Sequence, residues 1–215
     1  MSPACDAEVV GLYQERLLPR IIDKALGPGT TGPRRERVCA GLHGDVVELG
    51  FGSGINVPFY PAAVTSVAAV EPSDTAWQLA RSRVDGAAVP VRRSGVDGQR
   101  LPLDDASFDC ALSSWTLCTI PDATAALTEV RRVLRPGGSL HFIEHGLAPE
   151  EQVRRWQHRL EPVQMRLFGG CHLTRSIPDL ITGAGFTITA LDEFYAPGWP
   201  RATNATYLGA AVPTP

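Results

Sequence analysis

A short apolar run that ends in an acid and passes into alternating glycines, Val46-Val47-Glu48-Leu49-Gly50-Phe51-Gly52-Ser53-Gly54, is the feature that most restricts the fold. The run predicts a strand. Gly50, Gly52 and Gly54 permit positive φ and a close approach of bare backbone to a ligand. Such a turn belongs at the carboxyl end of a strand in an open α/β sheet, where these sheets bind ligands. The rest of the chain fits that setting. Apolar runs predict strands over 45–49, 66–70, 88–92, 108–113 and 139–144, with helices near 55–60, 73–84 and 122–134 between them. Asp122 is placed to cap the last of these helices and Pro136-Gly137-Gly138 to stop it. Helical stretches over 149–168 and 176–184 follow, then strand-like runs over 186–192 and 204–212 with no helix between them. That pattern predicts a doubly wound, mostly parallel seven-stranded α/β sheet with an antiparallel edge strand. At the front, helical spacing over 6–26 is interrupted by Pro19, residues 27–33 read as a loop, and a short helix is expected over 34–40. This divides the chain into an N-terminal helical cover and linker, 1–33, and a sheet domain, 34–215.

Bulk properties exclude several classes. Twenty basic and 23 acidic residues give a net charge of −3, which supplies no electrostatic reason to expect a nucleic-acid partner. The five cysteines are scattered and form no CxxC pair, so neither a disulfide framework nor a metal site is suggested and a reducing cytoplasm fits best. Asp6 and Glu8 stand where a signal peptide would be basic and then apolar, and no apolar run has the length of a membrane span. Arg154, Arg155, Arg159 and Arg166 share one helical stretch. They read either as solvated charges or as a weak peripheral contact with lipid head groups.

The second strand ends in Val70-Glu71-Pro72, with Glu71 twenty-one residues beyond Gly50. A carboxylate at that strand tip is placed to accept both ribose hydroxyls of a nucleoside. The glycine spacing is neither the GxGxxG of dinucleotide binders nor a Walker loop, which disfavours a nicotinamide dehydrogenase. The segments "VVELGFGSGINVPFY", "VEPS", "LPLDDASFDCALSSWTLCTI" and "EVRRVLRPGGSLHFIEH" resemble the class I S-adenosylmethionine-dependent methyltransferases, whose domain is Rossmann-like. With "FIEHG" and "LFGGCHLTR", the closest likeness is to the alkyl-thiol methyltransferase-like group. The resemblance implies S-adenosyl-L-methionine as cofactor, S-adenosyl-L-homocysteine as product and a small-molecule methyl acceptor. It also implies that Glu48 orients the cofactor's amino end, that Gly50, Gly52, Gly54 and Asn56 face its methionine part, and that Glu71 and Pro72 meet the ribose. Val96, Asp97 and Gly98 would meet the adenine, and Ser113 and Trp115 would border the methyl group.

Candidates for the acceptor side have two readings each. His145, at the end of the fifth strand, is either a general base or a histidine bonded to a loop carbonyl. Trp115 walls the methyl site or is core. His172 and Arg175 border the substrate pocket or belong to a structural turn capped by Thr174. Tyr13 closes over the cofactor or packs an apolar helix face. Cys118 reads as inert packing. A thiol is the preferred acceptor. A phospholipid amine, a quinone carbon, and cofactor binding without turnover are the alternatives.

Overall fold

A computed structural model describes residues 13–198 and 200–214. Seven strands form one sheet: β1 (Gly44–Leu49), β2 (Val64–Val70), β3 (Val91–Gly95), β4 (Phe108–Ser114), β5 (Leu134–His145), β6 (Phe186–Tyr195) and β7 (Ala205–Pro213). Their order is β3-β2-β1-β4-β5-β7-β6. β1 to β5 pair in parallel, and β7 lies antiparallel between β5 and β6. The hairpin expected from the missing helix is therefore present, with its antiparallel strand second from the edge. Successive residues of β1 alternate between faces: Val47 and Leu49 join one apolar cluster, and Val46 joins the other. Both faces are covered, as parallel sheets require.

Among the described residues, six α-helices pack around this sheet: α1 (Leu18–Ala25), α2 (Pro28–Cys39), α3 (Asp74–Asp85), α4 (Ala123–Val133), α5 (Glu151–Leu167) and α6 (Ile177–Gly183). Ser73 Oγ accepts the Ala76 N–H at 3.1 Å and Asp122 Oδ1 the Ala125 N–H at 2.9 Å, capping α3 and α4. One π-helical turn, Tyr13–Leu17, runs into α1, which places Pro19 in its first turn. The start of the helix expected over 6–26 lies outside the described residues.

Four expectations need correction. The expected loop 27–33 opens α2, with Pro33 inside it. Burial overrides propensity here: Thr31 Oγ1 donates to Leu26 O at 2.7 Å, and Gly32 lies where a Cβ would touch the Phe59 ring at 3.6 Å. The domain boundary at 33/34 accordingly falls inside a helix. β5 starts at Leu134, because the chain turns extended directly after α4 and absorbs Pro136-Gly137-Gly138 in a register shift opposite Phe108 and Cys110. β3 begins after Pro90, which has no N–H for the ladder. The helix expected near 55–60 is only the 3-10 turn Val57–Phe59.

No helix among the described residues is long and apolar enough to cross a membrane. On α5, Arg154 donates to Pro149 O at 2.8 Å, Arg155 pairs with Glu151 at 2.5 Å and Arg159 stacks over Trp156 at 5.2 Å.

Phe142 of β5 is fully buried against the aliphatic cluster, and its ring fills the space left by the missing side chain of Gly209 on β7. Phe142→Ala is expected to cost about 3–5 kcal/mol. Urea unfolding at constant m-value measures this, and a loss below about 1 kcal/mol would mean the site collapses around the cavity.

Candidate functional site

The glycine turn leaves β1 with positive φ at Gly50 (62°) and Gly52 (60°). At Gly50 a Cβ would collide with the Thr116 side chain. At Gly52 it would meet nothing nearer than the Gly50 carbonyl at 3.8 Å and would stand in open space. The Gly52 N–H donates to Glu71 Oε2 at 2.6 Å, and the Ser73 N–H donates to Glu71 Oε1 at 2.7 Å. Burial raises the Glu71 carboxyl above its ordinary value, and these two N–H groups act against the shift. The turn and Glu71 line a cavity of about 660 Å³, within the size range of small-molecule sites. Pro72, Val96, Asp97, Gly98 and Trp115 line it too, and Leu18, Ile22 and Leu26 cover it. The Asp97 carboxylate accepts the Gln99 N–H at 2.9 Å.

Glu48 is not part of that wall. It is completely buried, accepting Asn56 Nδ2 at 2.8 Å and the Tyr60 hydroxyl. Asn56 in turn accepts Arg35, which also donates to Thr31 Oγ1 at 2.7 Å and lies 4.8 Å above the Trp115 ring. Arg35 lines the cavity; Glu48, Gly54 and Asn56 do not. Glu48 is linked through Asn56 to Arg35, which does line the cavity. Nothing in the sequence marked Arg35, which falls in a stretch read only as a short helix.

Ser113 also stands behind the wall, donating to Glu144 Oε1 at 2.7 Å. The same carboxylate accepts the N–H groups of Thr116 at 3.0 Å and Cys118 at 3.3 Å. Between them Trp115 takes φ +52°, held by its N–H to Ile143 O at 2.7 Å. Its indole Nε1 is buried without a partner.

Trp115 separates the first cavity from a second of about 340 Å³, which shares Ile22, Leu26, Thr119 and Phe168 with it. His145, Cys118 and Cys171 line the second. The two sulfurs are 3.6 Å apart. Their shared hydrogen bond draws the Cys171 thiol well below the ordinary thiol range, with His145 adding to the effect, and pushes Cys118 above it. Cys118, expected as inert packing, is therefore a cavity residue. His172 and Arg175 line neither cavity. His172 and Thr174 bond Glu161 at 2.8 and 2.9 Å, and Arg175 donates to the carbonyls of Leu117 and Ile120 at 2.6 Å. Tyr13 donates to Leu167 O at 2.9 Å, outside the cavities.

Burial raises the Glu48 carboxyl to about 7, against hydrogen bonds from Tyr60 and Asn56 and the charge of Arg35. The folded chain then keeps a proton that the unfolded chain releases above about 4.5. This contribution to stability is full below about 4.5 and is lost as pH rises toward about 7, by up to about 1.4 kcal/mol per pH unit. Glu48→Gln, neutral throughout, removes that slope. Urea unfolding across this window should show the variant gaining on the wild type as pH rises; a constant difference would contradict the assignment.

The sequence profile described as "Methyltransferase domain" matches residues 47–142. Thiol S-methyltransferase TMT1B of Rattus norvegicus is 35% identical over 151 residues, covering 68% of this chain and 62% of the relative. Thiol S-methyltransferase TMT1A of Homo sapiens is 32% identical over 156 residues, covering 71% and 64%. The chain thus spans less than two thirds of the length of these relatives. An S-adenosylmethionine-dependent methyltransferase from Thermotoga maritima has the same fold, with a TM-score of 0.68 and 22% identity over 94% of this chain and 98% of that one. With the glycine turn, the strand-tip carboxylate and the sheet order in place, the chain belongs to the class I S-adenosylmethionine-dependent methyltransferases.

Proposed function

We propose that this chain transfers a methyl group from S-adenosylmethionine to a small thiol. The observation that carries the reading is the small, largely apolar cavity that abuts the larger one across Trp115. The names of the relatives, thiol S-methyltransferases, support it. When bound, S-adenosylmethionine supplies a methyl group already activated on a cationic sulfonium. The residues present fit such a molecule. Glu71 uses two of its roughly four acceptor positions on Gly52 and Ser73, which leaves room for two ribose hydroxyls. Bare backbone at Gly52 admits close contact, and the cation of Arg35 complements the cofactor's carboxylate. Pro72 and the Val96-Asp97-Gly98 edge supply the remaining wall, for the ribose and the adenine. The unpartnered Trp115 N–H offers a donor.

The chain's own work on the acceptor is alignment, exclusion of water and provision of a thiolate. His145 lines the acceptor cavity and serves that thiol. The four described cysteines are free and buried, in keeping with the cytoplasm as a reducing compartment.

Calorimetric titration with S-adenosylmethionine and, separately, NADH, then product analysis with alkyl thiols, amines and phenols, tests the reading. Binding of the first alone, with thioether formed, is expected; methyl transfer confined to amines or phenols would overturn the thiol assignment. Glu71→Gln removes the charge and keeps the shape. Hydrogen bonds to a charged acceptor contribute about 1.5–3 kcal/mol each. Two such bonds predict affinity for S-adenosylmethionine about a hundredfold weaker or more. Unchanged affinity would sink the ribose assignment.

A further inference from the structure

We propose that Cys118, His145 and Cys171 form a three-ligand zinc site whose fourth position takes the sulfur of the acceptor thiol. The proposal rests on the thiol reading above and says how that thiol is held. The three residues come from separate segments: the turn after β4, the end of β5, and the loop between α5 and α6. Their ligand atoms nevertheless lie within 4.8 Å of one another. The Cys118 and Cys171 sulfurs stand 3.6 Å apart. A disulfide needs about 2.05 Å. Two thiolates at about 2.3 Å from a tetrahedral ion stand about 3.8 Å apart, so the two sulfurs, hydrogen-bonded and not in a disulfide, already stand close to the spacing that two ligands of one ion need.

The donor set selects the ion. Two thiolates and an imidazole are soft to borderline ligands, the preference of zinc, and hard cations such as magnesium and calcium favour oxygen. Three protein ligands leave one tetrahedral position, the pattern of zinc sites that bind a substrate; closed structural sites have four. All three residues line the second cavity, so the open position belongs there.

Two of the three ligands also have their backbone held in place. The Cys118 N–H is tied to Glu144 at 3.3 Å, and its carbonyl accepts the His172 N–H at 2.7 Å. The Cys171 N–H donates to Phe168 O at 3.1 Å. These bonds fix the backbone at two of the three ligands. The chemistry matches the acceptor. A thiol entering the open position forms a metal–sulfur bond and releases its proton to solvent, so the acceptor waits as a thiolate beside the larger cavity. Ligation also occupies Cys118 and Cys171, two nucleophilic sulfurs that would otherwise compete with the acceptor for the methyl group.

The test uses the full chain, stripped with a chelator and kept reduced by a phosphine, titrated with Co²⁺ and then Zn²⁺. One cobalt per chain is expected, with thiolate-to-cobalt charge transfer and tetrahedral ligand-field bands that zinc abolishes. An alkyl thiol added to the cobalt form should change those bands. Cys171→Ser and His145→Ala should each weaken zinc binding by more than about a hundredfold, beyond the roughly 10–100-fold effect of losing an outer partner. Calorimetry with S-adenosylmethionine on the same variants shows that they are folded. Failure of reduced wild-type protein to bind cobalt or zinc would overturn the proposal, as would a cobalt spectrum unchanged by thiols. Metal-free protein that forms thioether at the full rate would remove the metal and leave the thiol reading standing. Cobalt bands that respond to thiols, with no thioether formed, would support the site and remove the thiol-transfer reading.

Discussion

The carboxylate of Glu144 holds the turn on which both cavities depend. It is fully buried at the end of β5 and gathers the Ser113 hydroxyl and the backbone N–H groups of Thr116 and Cys118. That clamp on both sides of Trp115, with the Trp115 N–H bonded to Ile143 O, maintains Trp115 at positive φ, a conformation costly for a bulky side chain unless its surroundings over-determine it. Each consequence is local and visible. Trp115 becomes the partition between the cavities. Thr116 is set against Gly50, where its hydroxyl donates to Leu49 O at 3.2 Å, so the glycine turn and the partition are fixed to each other. Cys118 is brought to 3.6 Å from Cys171. Burial raises the Glu144 carboxyl, and the same hydrogen bonds oppose that shift. Removing the carboxylate would strand several buried donors at about 1–3 kcal/mol each, so the turn and Glu144 stand or fall together.

Three acids occupy the carboxyl ends of parallel strands of the sheet and look alike in one dimension. Glu48, in β1, faces inward to Tyr60 and Asn56. Glu144, ending β5, braces a turn. Glu71, just past β2, alone lines the larger cavity. The common cause is that the chain leaves a parallel sheet with free N–H groups and polar side chains to satisfy, and a buried carboxylate does this several at a time. What separates the roles is which neighbours remain unsatisfied. Glu71 has only two N–H partners, which is why the proposed ribose contact falls to it.

The sheet was legible because its signals are local. Apolar runs marked the strands, Ser73 and Asp122 capped helices, and the missing helix before β7 announced a hairpin. The walls of the larger cavity were legible for the same reason: the glycine turn and Glu71 sit at strand ends whose spacing is fixed by one crossover. The rest depends on contacts distant in sequence. Pro28, Gly29, Gly32 and Pro33 read as loop, yet Pro28 takes the first helical position, where proline is tolerated, and the buried Thr31 and Gly32, set against the Leu26 carbonyl and Phe59, carry the helix through. Arg35 reaches Asn56 twenty-one residues away. Cys118 and Cys171 are separated by fifty-three residues and share no spacing motif. His172 and Arg175 drew attention by residue type, yet Glu161 and the 117–121 carbonyls absorb them.

The cover explains why the two cavities belong to one site. Ile22 and Leu26 of α1 and the following turn, with Phe168 at the end of α5, contribute apolar surface to both. A molecule seated in either cavity therefore touches side chains that also wall the other. On the proposed reading this matters in two ways. A cationic methyl donor and an anionic sulfur attract more strongly once water is excluded. An apolar acceptor gains by displacing water from the Ile22, Leu26 and Phe168 surfaces. The volume of about 340 Å³ limits that acceptor to a small molecule. Selectivity would then rest on size and on the sulfur itself, since few charged groups line the second cavity.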